Sequence, residues 1–200
     1  MKKKLAIIGA GGHGKVVGEI AFLKKYKNVH FFDDQFKYCK DNFPFLVKGT
    51  IENLLKSLKN YNEFFVAIGD NQIRSEKIKL LQELKLKIIN LIHPKSTVSK
   101  NCILGKGICV MANAVVNSGT TINNGVIINT SAVVDHDCFI DEFSHISPNC
   151  SLSGSVEVGK LTHVGTGSAV HPSIKIGKNV KIGVGNKIFR NIDDNQIFNN

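Results

Sequence analysis

Ile128-Asn-Thr-Ser-Ala-Val-Val134-Asp-His-Asp-Cys-Phe-Ile140-Asp-Glu-Phe-Ser-His-Ile146 carries an aliphatic residue at every sixth position. Followed outward, the same spacing runs back through Ile122, Val116, Val110, Leu104 and Val98 to Ile92. It runs forward through Leu152, Val158, Val164, Val170, Ile176 and Ile182 to Ile188. From Ile92 to Asp193 the spacing holds without an insertion or a deletion. Four residues after each aliphatic position stands a small or β-branched residue, among them Ala114, Thr120, Val126, Ala132, Cys138, Ser144 and Cys150. These two columns point to the same side of a strand, because side chains alternate with a period of two. A third column, three residues after each aliphatic one, holds Asn101, Gly107, Asn113, Gly119, Gly125, Asp137, Asn149, Gly167, Asn179, Gly185 and Asn191. Gly, Asn and Asp tolerate positive φ, so this column marks recurrent corners.

Each unit is therefore a short strand and a turn. Three such units close a triangle, and stacked coils satisfy the backbone through parallel ladders spaced about 4.8 Å apart. The pattern predicts a β-solenoid over residues 92–193. Parallel crossovers are nearly always right-handed, so the pattern alone favours a right-handed coil.

Composition narrows the rest. The 200 residues are 42% apolar, enough for one or two compact units. No apolar run approaches the roughly 20 residues that span a bilayer. Met1-Lys-Lys-Lys4 is too close to the glycine loop beginning at Gly9 to leave room for a signal sequence. Five cysteines, at 39, 102, 109, 138 and 150, show no CxxC spacing, and three of them lie in the inward column; a reduced, cytoplasmic protein is expected. Lys and Arg number 26 against 16 Asp and Glu. The basic residues are dispersed without an aromatic-rich face, which argues against nucleic acid and fits small polyanionic ligands.

Residues 1–91 read differently. Leu5-Ala-Ile-Ile8 enters Gly9-Ala-Gly-Gly-His-Gly14, and Val16, Val17, Ile20, Ala21 and Leu23 then recur at helical spacing. Strands are expected at 29–32, 64–68 and 87–91, and helices from Thr50 to Leu58 and from Asn71 to about Leu84. Alternating β and α implies a small Rossmann-like parallel sheet. Gly9, Gly11 and Gly14 fit G-x-G-x-x-G, with acids Asp33 and Asp34 about 20 residues on. Ninety residues hold only half of a dinucleotide domain, so the loop is expected to take a phosphate at the helix N-terminus, with Asp33 or Asp34 accepting from a ribose or a base edge.

Gly9-Ala-Gly-Gly-His-Gly14, Phe32-Asp-Asp34, Phe65-Val-Ala-Ile-Gly-Asp-Asn71, Asn90-Leu-Ile-His-Pro94, Asn129-Thr-Ser131, Asp135-His-Asp-Cys138 and Phe143-Ser-His-Ile146, placed before and within a hexapeptide coil, resemble the sialic-acid O-acetyltransferase/nucleotide-amino-sugar N-acetyltransferase family. Within it, the chain is most similar to bacterial enzymes that acetylate a UDP-linked 4-amino-4,6-dideoxy sugar, as in bacillosamine synthesis. The resemblance implies a left-handed β-helix, a homotrimer, acetyl-CoA as co-substrate in a groove between two coils, and a nucleotide sugar in the front domain. It implies His136 as general base and Asp137 as its carboxylate partner, where the family often has Glu. It assigns His145, Gly154, His163, Gly165, Thr166, Gly183 and Val184 to acetyl-CoA, Gly154 through its backbone N–H. It assigns Gly9, Gly11, Gly12, His13, Gly14, Asp33, Asp34, Gly69 and Asn71 to the nucleotide sugar, and no metal. The family's closing Gly-x-Pro-Ala segment has no counterpart in Ile197-Phe-Asn-Asn200, so residues 194–200 are expected to be a shortened tail.

Acetyl transfer to an amine needs a proton acceptor, an oxyanion donor and two substrates held together. An imidazole suits the first task near neutral pH. His136 falls at a corner and points outward, toward a neighbouring subunit; His145 takes an outward strand position, with His163 stacked one coil above it. Cys138 lies in the inward column and reads as core. Three alternatives remain: O-acetylation of a sialic-acid-like sugar, a non-catalytic nucleotide-binding trimer, and a zinc carbonic anhydrase. The last needs two histidines five residues apart, whereas His136 and His145 are nine apart.

Overall fold

The computed structural model describes residues 3–199, in two compact units divided between Leu91 and Ile92. The front unit runs β1 (Lys4–Ile8), α1 (Gly12–Leu23), β2 (Asn28–Phe32), α2 (Phe36–Asn42), β3 (Val47–Gly49), α3 (Ile51–Leu55), a 3-10 turn at Leu58–Asn60, β4 (Glu63–Val66) and α4 (Asn71–Glu83). Its strands are parallel in the order β3-β2-β1-β4. The order reverses between β1 and β4, the topological switch where a crevice opens beyond the strand ends. Leu5, Ala6 and Ile7 in β1 are fully buried, as expected for a central parallel strand covered on both faces.

Local chemistry sets the helix starts. Thr50 and Asn53 form a reciprocal capping box at α3, and the Asp70 carboxylate accepts from Ile73 N (2.9 Å) at α4. Two expectations change here. Of residues 87–91, Ile88 makes a single bridge to Phe64 rather than a full strand, and Leu91 begins the two-residue strand Leu91–Ile92. The helix from Thr50 ends at Leu55. Of the apolar residues that recur at helical spacing in α1, Val17, Ile20 and Ala21 are buried, while Val16 and Leu23 are exposed. The α2 and β3 elements had no clear periodic signal.

The second unit is a left-handed parallel β-helix. Two-residue strands cycle through three faces of seven, six and five strands. Val133–Val134 lies on the six-stranded face, Phe139–Ile140 on the five-stranded face and His145–Ile146 on the seven-stranded face. The coil period is 18 residues, as in Val134 against Leu152 and Ile140 against Val158. The aliphatic column forms one continuous core from Val110 to Ile188. Dry, matched layers of this kind fix register strongly, because a slip of one residue would turn the whole apolar column outward.

The inward second column has an added function. Thr120, Ser144, Thr162 and Ser168 are buried, and each hydroxyl donates to a carbonyl 15 residues on, at 2.7 to 3.0 Å. Cys138 and Cys150 direct their thiols to Ser153 O (3.3 Å) and Gly165 O (3.1 Å) in the same way. These bonds satisfy corner carbonyls that the strand ladder leaves over.

Left-handed φ occurs at every sixth residue from Gly107 to Gly185, including the bulky Phe143 (58°) and Leu161 (62°). Asn101 and Asn191, expected in that column, are not among the positive-φ residues. For Asn191 the cause is a coil shortened by two residues: Gly177 N donates to Ile192 O and Lys181 N to Gln196 O, and Ile197–Phe198 pairs with Lys181–Ile182. Residues of the expected 194–200 tail therefore continue the helix, and the unbroken six-residue register ends at Ile188. The corner resumes at Asn195 (φ 62°).

Candidate active site

The front-domain site collects at the carboxyl ends of β1, β2 and β4. A cleft of about 510 Å³ is lined by Gly9, Gly11, Gly12, His13, Asp33, Asp34, Gly69 and neighbouring apolar residues. Gly14 packs beneath the loop, where a side chain would strike the Gly9 carbonyl. Gly11 and Gly12 face open space, leaving the start of α1 accessible to a ligand. Lys77 and Ile73, both outside the sequence-derived set, also line the cleft.

Both aspartates line the cleft and are also tied to the fold itself. Asp33 accepts from Ala10 N and Gln35 N, both at 2.8 Å, so it pins the glycine loop to the end of β2. Asp34 Oδ1 accepts from Ile51 N (3.1 Å) at the start of α3. Either was expected to meet a ribose or base edge; the fold engages Asp33 with both oxygens and Asp34 with one, and each carboxylate keeps further acceptor capacity. Neighbouring backbone donors claim a carboxylate at a strand exit whenever the loop folds back over it.

His13 Nε2 is buried with no hydrogen-bond partner among the described residues, although the residue as a whole keeps some exposure. Burial, and secondarily the Arg74 charge, push its pKa down to about 4, so the ring is neutral at neutral pH. Arg74 is the residue that sequence reasoning missed. It is 1% exposed and donates to Ile68 O (3.0 Å), Gly69 O (2.9 Å) and Asn71 Oδ1 (2.7 Å). Gly69 and Asn71 are thus held from below by one guanidinium. Its only sequence signal is a position one turn inside α4, which is equally that of a solvated basic residue.

In the β-helix, His136 and Asp137 occupy the turn between the six- and five-stranded faces. His136 Nδ1 lies 2.8 Å from Asp137 Oδ2, and both side chains are more than half exposed. The Asp137 hydrogen bond, followed by the charge of Asp135, holds the imidazole pKa above its ordinary value. Asp135 Oδ1 in turn accepts from His136 N (2.8 Å) and from Asn117 Nδ2 (2.7 Å) one coil below. The Gly154 backbone lies against the imidazole: a Cβ there would come 2.6 Å from Cε1 and 2.7 Å from Nε2. Gly154 O accepts from Ser173 N, while Gly154 N–H has no acceptor among the described residues. Cys138 is 2% exposed, and burial raises its thiol pKa, which removes it as a nucleophile.

His145 and His163 stack with ring centroids 4.7 Å apart. His145 is only 9% exposed, more enclosed than an outward strand position implies, and its Nε2 lies 2.9 Å from Asn129 Nδ2. His163 Nε2 lies 2.8 Å from Ser147 Oγ. Both rings belong to the seven-stranded face, which lies opposite the corner bearing His136 in a three-faced prism. Within one chain the base candidate and this histidine pair are therefore separated. Gly165 and Gly183 sit one coil apart where the seven-stranded face turns into the six-stranded one. Gly165 is pressed against Ile182 O and the Gly183 backbone, while Thr166 and Val184 beside them are exposed. Among the described residues no group of three His, Cys, Asp or Glu side chains is arranged to hold a metal.

Comparison with known proteins agrees with this architecture. Residues 4–81 match the family described as PglD N-terminal domain. The acetyltransferase domain of PglB from Neisseria gonorrhoeae FA1090, in complex with acetyl coenzyme A, is 40% identical, covers 98% of this chain and 95% of its own, and gives a TM-score of 0.90. PerB from Caulobacter crescentus, in complex with CoA and GDP-perosamine, is 32% identical over 97% of this chain and 92% of its own, also with a TM-score of 0.90. UDP-N-acetylbacillosamine N-acetyltransferase of Bacillus subtilis (strain 168) is 37% identical over 114 residues, which are 55% of this chain and 52% of that protein. This match spans about half the length of the Bacillus protein. A hexapeptide β-helix with an imidazole–carboxylate corner, joined to a glycine-loop α/β unit, defines the class. The chain belongs to the nucleotide-amino-sugar N-acetyltransferase family of hexapeptide-repeat acyltransferases.

Proposed function

We propose that the chain transfers the acetyl group of acetyl-CoA to the amine of a nucleotide-linked amino-deoxy sugar of the UDP-4-amino-4,6-dideoxy type. The observation that carries this is the His136–Asp137 pair standing over the Gly154 amide. Nδ1–H donating to Asp137 leaves Nε2 as the basic nitrogen. As the amine attacks the thioester carbonyl, Nε2 takes its proton. The Gly154 N–H donates to the tetrahedral oxyanion, the C–S bond breaks, and the proton passes to the departing thiolate to give free CoA. No acyl-enzyme is required, in keeping with a buried Cys138.

A homotrimer is part of this reading, and the separation of the histidines within one chain supports it. A second copy can bring a seven-stranded face to the His136 corner, letting His145, His163, Thr166 and Val184 wall a groove for acetyl-CoA. The front-domain cleft would hold the nucleotide, with its diphosphate over Gly11, Gly12 and His13 and Lys77 as a cation on the lining. A cytoplasmic location belongs to the same reading, and the free cysteines support it; no helix among the described residues is long and apolar enough to cross a membrane.

The test is CoA release from acetyl-CoA with UDP- and GDP-linked 4-amino sugars, beside a free sialic-type sugar acid. Acetylation of the nucleotide-linked amine is expected; acetylation of the sugar-acid hydroxyl alone would overturn the proposal.

A further inference from the structure

We propose that Gly119 is a positioning residue for the acetyl transfer: its missing side chain is what allows the Asp137 carboxylate to lie against the coil below and reach back to His136 Nδ1. The proposal rests on the His136 mechanism above.

Gly119 and Asp137 are 18 residues apart and therefore stack in adjacent coils. A Cβ on Gly119 would collide with Asp137 Oδ1, lie 3.2 Å from its Cγ and stand 3.5 Å from its N. The carboxylate thus occupies the volume that any other residue at 119 would fill. Asp137 has little freedom to evade such a side chain. Its φ is fixed at 57° by the turn, its N donates to Ser118 O (3.0 Å), and its Oδ2 is engaged with His136. Displaced from Gly119, the carboxylate must swing outward and release the ring.

The two halves of the pair are therefore seated on two glycines, His136 against Gly154 in the coil above and Asp137 against Gly119 in the coil below. Other corners do not need this arrangement: the same column holds Asn113, Asn149 and Asn179 with φ of 54° to 58°. Gly119 is needed for space as well as for its φ of 77°. The ionisable groups around His136 are Asp135, Asp137 and the buried Cys138 thiol. The adjoining coils contribute Asn117, Ser118, Gly119, Gly154 and Ser155, none of them ionisable near neutral pH.

The experiment is steady-state kinetics on the full chain with Gly119→Ala, Gly119→Asn, Asp137→Ala and the double variant Gly119→Ala/Asp137→Ala. Asn suits the left-handed corner, so Gly119→Asn keeps the fold while filling the space. Both single Gly119 variants should lower kcat about 10-fold, the usual scale for losing the partner that orients a functional imidazole. Their acid limb in the kcat–pH profile should move to lower pH, because the Asp137 bond that raises the His136 pKa is lost. The double variant should be no slower than Asp137→Ala alone. Additive losses, or wild-type kcat and pH limb in Gly119→Asn beside an impaired Asp137→Ala, would overturn the proposal alone. A wild-type Asp137→Ala enzyme would overturn the dyad mechanism and this inference with it. Thermal melting of Gly167→Ala, where φ is +71° and nothing lies within 4 Å, calibrates the backbone strain common to both sites.

Discussion

The front domain and the β-helix each present one histidine beside glycines, in opposite environments. His13 sits in a desolvated cleft above a buried guanidinium, with its pKa lowered to about 4. His136 stands on an exposed corner between two carboxylates, with its pKa raised. Burial removes charge from the first, and hydrogen bonding to Asp137 favours charge on the second. The difference separates two tasks: a neutral donor or acceptor suits fixed contacts to a ligand, and a basic, accessible nitrogen suits proton transfer. The two units also stabilise their sites differently. In the front domain one buried residue, Arg74, supports a whole loop, while in the β-helix support is distributed over stacked coils.

Removing the base should have the largest effect on this comparison. His136→Ala is expected to lower kcat by about 10²–10⁴-fold, the range for general-base catalysis, while far-ultraviolet circular dichroism stays that of the wild type. A kcat within threefold of the wild type would remove His136 from the mechanism. Arg74→Met should destabilise the front domain by about 3 kcal/mol, because it leaves the carbonyls of Ile68 and Gly69 without their charged donor. Denaturant melting would show one earlier transition for the front domain and an unmoved one for the β-helix. A shared shift of both would contradict the localised support described above.

Asp137→Asn should lower kcat about 10-fold and move the acid limb of kcat to lower pH. Asn can still accept from Nδ1–H but no longer stabilises imidazolium, so the base loses its proton at lower pH. An upward displacement would contradict that assignment. The smallest effect concerns His13. Its folded pKa lies below the ordinary 6.5, so the unfolded chain takes up the proton first as pH falls. Its contribution is complete above pH 6.5 and lost toward pH 4, with a slope of at most about 1.4 kcal/mol per pH unit. His13→Asn should flatten that slope in urea titrations at pH 7, 5.5 and 4.5; parallel curves for the two proteins would place the desolvated histidine elsewhere.

Much of the β-helix was legible because its information is local. Each hexad repeats the same inward pair and the same corner, so Cys138 could be placed in the core and His163 one coil above His145 by counting. Where counting failed, a non-periodic event intervened. The two-residue shortening after Ile188 sends Ile192 into the position that the register assigns to Asp194, and no single residue between 189 and 191 announces it. In the front domain the glycine loop was legible, but the partners of Asp33 and Asp34 were not. Both lie at the end of β2, where backbone donors from β1's loop and from α3 arrive only once the sheet has assembled.

The sequence by itself determined the three-sided coil, the outward corner bearing His136 and Asp137, and the glycine loop after β1. Each follows from steric and apolar periodicities that act over fewer than about ten residues. Only the tertiary structure decided that Asp137 lies on Gly119, that the Gly154 backbone meets the imidazole, that Arg74 is buried beside the front-domain cleft, and that His145 is enclosed. Those contacts join residues that are remote along the chain or separated by a loop. Their geometry depends on how coils stack and strands pair, which residue type alone does not encode.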